Sequence, residues 1–362
     1  MNKNTSAKLG HWLDCLFGSY SDKIKILANV LIHNWRMRLP EFSLSSFLEP
    51  IGEDEFQSAF PELDAESHKI IKRFLLFQKV FSAARQYQEY FLFNYGKLFT
   101  EEESRKRRKL NIRYQELCRK LPFPYVGPES VIFHHGLPFF PEAAIQYLNG
   151  GSFIDAGACY GDSALIFSRF YKPARIHAFE PSKENREIMQ RMMDHFKILP
   201  GSYEMNPFGL GGKHEQLFFC NQEGKSSFGI QNGGDGVAVD ILPLDDYVQG
   251  RKLTDIRLIK ADLEGMGLSM LQGAEQTIRK NRPLLSLSIY HNREELFEIY
   301  RTLRSWDLNY VFTVRSTVFP LGFSEINLLG YPMELNHGPD MWNTDEAAFQ
   351  KIFELSRLLF QN

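Results

Sequence analysis

Four cysteines in 362 residues, at positions 15, 118, 159 and 220, are too few and too widely spaced for a disulfide framework or a compact metal motif. Reduced thiols are the simplest account, and a cytoplasmic location goes with them. No apolar run approaches the roughly 20 residues of a membrane span. The stretch from Trp12 to Phe17 is broken by Asp14 and ends at Gly18, too short for the core of a signal peptide. An excess of one charge sign is missing too. A formal net charge of −2 gives no general electrostatic case for nucleic acid or an anionic membrane as partner.

What is plentiful is aromatic: 14 % of the chain, with 31 Phe and 15 Tyr. Many lie before residue 140, which marks either an aromatic-packed helical region or a surface for a protein partner or a second copy. The length suits two domains better than one. Helical spacing runs from Asp22 to Leu39, short turns follow from Ser43 to Phe60, and a long amphipathic run opens at Asp64 and continues to Phe99, with a bend expected near Asn94-Tyr-Gly96. Glu101 to Lys109 looks basic at first, but Glu101/Arg105, Glu102/Lys106 and Glu103/Arg107 are i,i+4 pairs with the acid first. A solvated helix face is the expectation, with docking of an anionic partner as the alternative. Pro122, Pro124, Gly127 and Pro128 mark a break. His134 and His135 follow on an irregular loop, either structural or touching substrate.

The informative stretch begins at Ser152. Phe153 and Ile154 read as a buried strand, Gly157 and Gly161 as a tight turn admitting a ligand to backbone amides, and Asp162 and Ser163 as the opening of a helix. A second strand, Ala174 to Phe179, ends at Glu180, 19 residues beyond Gly161 and placed to hold both hydroxyls of a ribose. A dinucleotide fold needs G-x-G-x-x-G, and here the middle glycine is missing: the run is Asp155-x-Gly157-x-x-x-Gly161. An acid at the strand tip would repel a diphosphate but suits a cationic or zwitterionic ligand such as S-adenosylmethionine.

Alternating strands and helices continue to about residue 335, which predicts a doubly wound, mostly parallel sheet. Short extra strands are expected at 217–220, 226–230 and 237–242. Ile256 to Gly265 reads as a strand carrying Lys260, Asp262 and Glu264 on one face, at the carboxyl end where ligands bind. Leu284 to His291 is a buried strand tipped by a histidine, a natural proton acceptor near neutral pH. The last two strands, near 309–314 and 325–331, should be antiparallel neighbours. Seven strands with one reversed is the class I methyltransferase architecture.

Phe153-Ile-Asp-Ala-Gly-Ala-Cys-Tyr-Gly161, Phe179-Glu-Pro181, Leu258-Ile-Lys-Ala-Asp-Leu-Glu-Gly265, Gly273-Ala-Glu275 and Leu287-Ser-Ile-Tyr-His291 together resemble the FkbM family of S-adenosylmethionine-dependent methyltransferases, over roughly residues 130 to 332. The chain departs from the family pattern at Glu264-Gly-Met-Gly-Leu268 and at Arg315-Ser-Thr-Val-Phe-Pro320, where a histidine is expected.

The resemblance implies O-methylation of a sugar, glycan or polyketide hydroxyl. It assigns Asp155, Gly157, Ala158, Gly161, Asp162, Ser163, Glu180 and Pro181 to the cofactor, with Lys260, Asp262 and Glu264 as the acidic strand-end motif. Lys260, Asp262 and His291 are the expected catalytic residues, His291 or Asp262 taking the acceptor's proton. Magnesium between Asp262 and Glu264 is a further expectation. The domains expected are a helical aromatic-rich region over 1–130, a methyltransferase domain over 131–335 and a helical tail over 336–362. Two other readings remain: a non-catalytic scaffold gripping a partner through its N-terminal helices, and an RNA 2′-O-methyltransferase using the basic run.

Overall fold

The computed structural model describes residues 53–83, 100–121, 126–222, 225–229, 237–318, 325–338, 341–343 and 345–359. The expected helix from Asp22 to Leu39 and the bend near Asn94 lie outside them. Among the described residues three helices come first: α1 (Glu53–Ala59), α2 (Ala65–Ala83) and α3 (Glu101–Cys118). Thr100 and Glu103 close a capping box at the start of α3. Of the expected charge pairs, Lys106 does meet Glu102, but Glu103 turns to Lys69 and Arg73 of α2. The run is therefore in part a seam between helices.

The main sheet has seven strands: β1 (Ser152–Ala156), β2 (Arg175–Phe179), β3 (Tyr203–Asn206), β8 (Ile256–Ala261), β9 (Leu284–Ser288), β10 (Tyr310–Ser316) and β11 (Ile326–Pro332). Their order is β10-β11-β9-β8-β1-β2-β3, with β11 antiparallel to both neighbours. This is the expected class I methyltransferase arrangement. Successive strand residues enter opposite cores: Ile154, Ile259 and Leu285 face one apolar cluster, Phe153, Leu258 and Leu284 the other. The expected extra strands form a second sheet, β4 (Gly209–Leu210), β5 (Glu215–Gln222), β6 (Lys225–Gly229) and β7 (Val237–Leu242), in the order β4-β7-β5-β6.

The N-terminal helices share the core of the main sheet. Phe56, Phe60, Ile71 and Phe74 belong to the same apolar cluster as Ile154 and Leu285. A polar clasp backs this up: Asp64 accepts from Thr313 Oγ1 at 2.9 Å and from Arg315 Nη2 at 2.8 Å, and Val314 N donates to Ser67 Oγ at 2.8 Å. Among the described residues no helix is long and apolar enough to cross a membrane.

Candidate active site

The order of the sheet reverses between β1 and β8, so the crevice at their carboxyl ends is where an open α/β fold holds its ligand. After β1 the chain turns through Gly157 at φ 75° and Gly161 at φ 83°, the latter capping helix α4 (Asp162–Phe170). A Cβ on Gly157 would stand 1.9 Å from the Asp262 carbonyl, and one on Gly161 2.4 Å from Met189 Cγ. Only glycine fits either place. The turn is drawn toward β2, because Gly157 N and Ala158 N both donate to the Phe179 carbonyl at 3.0 Å.

Glu180, 6 % exposed, sits at the tip of β2. Its Oε2 accepts from Cys159 N at 2.9 Å and its Oε1 from Ser182 N at 2.8 Å. Burial raises its carboxyl to about 7, against the pull of those amides. Pro181 offers its carbonyl to Arg186 at 2.7 Å. Asp162 receives Gly127 N at 3.3 Å, and burial raises its pKa.

Asp155 faces neither crevice nor solvent. It is fully buried, its Oδ1 3.1 Å from Lys260 Nζ and its Oδ2 accepting from Ser163 Oγ at 2.5 Å. Lys260 also donates to the Gly157 carbonyl at 2.7 Å. The expectation that Lys260, Asp262 and Glu264 project together is therefore corrected. The strand ends at Ala261, Lys260 turns back under the cofactor turn, and Glu264 adopts φ 49° in the loop beyond.

That loop gathers around His291, whose Nδ1 lies 2.9 Å from Glu295 Oε2 and whose Nε2 lies 3.1 Å from Asp262 Oδ1 and 3.9 Å from Glu264 Oε2. Tyr290 donates its hydroxyl to Asp262 at 3.2 Å. Burial disfavours the imidazolium, but Asp262 and Glu295 overcome it and hold the pKa well above the usual histidine value. Burial likewise opposes the Asp262 anion, and His291 with Lys260 still keeps that carboxyl below its usual range. Asp262 and Glu295 thus favour the imidazolium, where the sequence suggests a neutral proton acceptor. The magnesium expectation is not matched either. Asp262 and Glu264 both turn to the imidazole, and no group of three or more His, Cys, Asp or Glu among the described residues is arranged to hold a metal ion.

Several residues escaped the sequence reading. Glu295 sits four residues after His291, a helical spacing that was available to find it. Glu129 and Glu325 carry no local signal. Burial raises Glu325 to about 8, with Asp262 adding to the effect, and it raises Glu129 well above the carboxylate range. Of the two loop histidines, His134 is structural, with Nδ1 2.9 Å from the Tyr171 hydroxyl and its ring stacked on Phe170.

The interval from the cofactor turn to the middle of β10, residues 155–312, matches the family model described as the methyltransferase FkbM domain. That interval is similar to an FkbM methyltransferase domain. A methyltransferase FkbM structure from Methylobacillus flagellatus KT is 19 % identical, with 76 % of this chain and 58 % of that one covered and a TM-score of 0.49. The chain thus spans under two thirds of that relative's length. An O-methyltransferase from Bacillus cereus in complex with SAH is 15 % identical, covering 61 % of this chain and 90 % of that one at a TM-score of 0.38. An rRNA methylase from Streptococcus thermophilus is 10 % identical, covering 53 % and 92 % at 0.36. No curated protein sequence matches significantly. The matched interval contains the Gly157 to Gly161 turn, Glu180, the Lys260 to Glu264 loop and His291.

Proposed function

We propose that the protein is an S-adenosylmethionine-dependent O-methyltransferase acting on a hydroxyl of a sugar, glycan or polyketide-type acceptor. The observation that carries this reading is the contact of Gly157 with the Asp262 carbonyl, which sets the cofactor turn directly against the charged loop after β8. A donor in the turn and an acceptor on the loop are then neighbours, and proximity supplies much of the acceleration. With S-adenosylmethionine bound, the acceptor oxygen would attack the methyl carbon from behind as its proton passed to the Asp262 carboxylate, the carbon–sulfur bond would break with its electron pair returning to sulfur, and S-adenosylhomocysteine would leave.

Glu180 is the acceptor for the ribose hydroxyls in this reading. Asp262, oriented by Tyr290 and His291, fixes the acceptor hydroxyl, and Lys260 holds the turn from beneath. Phe56 of α1 and Ile71 and Phe74 of α2 are spent on the core of the sheet, which weakens the scaffold alternative for those residues. Calorimetric titration with S-adenosylmethionine tests the first step: no binding, or binding indifferent to Glu180→Ala, removes the reading. Transfer of labelled methyl to a panel of sugar nucleotides and glycosides then tests the acceptor class.

A further inference from the structure

Residues 126 to 140 form a strap across the carboxyl end of the sheet. Near its start Gly127 N is tied to Asp162, the first residue of α4. Further on, Ser286 Oγ of β9 donates to the His135 carbonyl at 2.6 Å, and a Cβ on Gly136 would meet Leu329 of β11 at 2.8 Å. The strap therefore reaches from the cofactor turn to the acceptor strands.

Two of its side chains bear on a ligand. Glu129, on the single helical turn Pro128–Val131, folds its carboxyl back over Gly127, where an added Cβ would lie 1.6 Å from Oε1. The charged groups that act on it most strongly are Glu325, Asp162 and Asp262, all acids, and its own amide is a hydrogen-bond donor to it. His135 is 4 % exposed, stands at φ 52° where non-glycine residues are uncommon, and leaves Nε2 without a hydrogen-bond partner. Burial and nearby Lys260 keep that ring neutral.

We infer that the strap is the subsite for the amino-acid end of the cofactor, Glu129 accepting from the α-ammonium and His135 Nε2 donating to the α-carboxylate. This rests on the proposed use of S-adenosylmethionine. A zwitterion needs opposite partners at its two ends, and the strap offers one of each beside the turn. The ammonium would set a positive charge against a carboxyl that stands among acids.

The test compares two thioethers by calorimetry on the full chain: S-adenosylhomocysteine, which has the amino-acid end, and 5′-methylthioadenosine, which lacks it. Glu129→Gln should weaken S-adenosylhomocysteine tenfold or more and leave 5′-methylthioadenosine within twofold. His135→Asn, whose side chain tolerates the left-handed backbone, should show the same selectivity. Unchanged S-adenosylhomocysteine affinity in both variants, or equal losses for both ligands, overturns the inference while the cofactor reading stands. A wild-type protein that binds neither ligand overturns both.

Discussion

Lys260 on β8 and Asp155 on β1 face each other in register, with Nζ 3.1 Å from Oδ1 and side chains 3 % and 0 % exposed. Removing one member leaves the other as an uncompensated buried charge. Lys260→Met should therefore cost about 3–5 kcal/mol in urea unfolding, and adding Asp155→Leu should restore much of it. A single variant as stable as wild type would show that the pair contributes nothing.

Glu180→Gln keeps the shape of the side chain but loses one acceptor for the Cys159 and Ser182 amides. S-adenosylhomocysteine affinity should fall at least tenfold. Because burial raises the Glu180 carboxyl to about 7, wild-type affinity should tighten between pH 6 and 8 as it ionises, and the variant should be flat over that window. A flat wild-type profile would contradict the ribose role.

His291 is raised above its unfolded value, so its contribution is fully present below about pH 6.5 and lost as pH climbs through the higher folded value. Thermal melts of wild type should drop on the alkaline side of 6.5. His291→Asn should be less stable at pH 6 and should lack that alkaline drop.

Gly157→Ala places a methyl in the space of the Asp262 carbonyl and imposes a left-handed backbone on alanine, the latter alone costing about 1–2 kcal/mol. The variant should fold with reduced stability and lose S-adenosylhomocysteine binding at least tenfold, both read in one thermal-shift titration.

The strand-turn-helix-strand unit from Ser152 to Glu180 was legible because its signals are local. Gly157, Gly161 and Glu180 are set by one strand-turn-helix-strand unit whose spacing the chain states outright. The seven strands and the reversed β11 were legible because apolar runs and turn residues punctuate them. The acceptor half was not. Alternation placed Lys260, Asp262 and Glu264 on one side only if the strand ran past Ala261, and the contact with the cofactor turn ends it there. His291 reads as a base until Asp262 and Glu295 are brought to its two nitrogens, one from another strand end. Glu129 and Glu325 become site residues solely through tertiary packing.

The clasp from Asp64 to Thr313 and Arg315 bears on where a shortened gene could begin. A fragment starting at Asp155, where the family match begins, would lack α1 and α2. It would leave Arg315 without its carboxylate and bare the apolar side of β10. The smallest piece worth expressing therefore begins no later than residue 53, and a shorter one should be recovered from inclusion bodies.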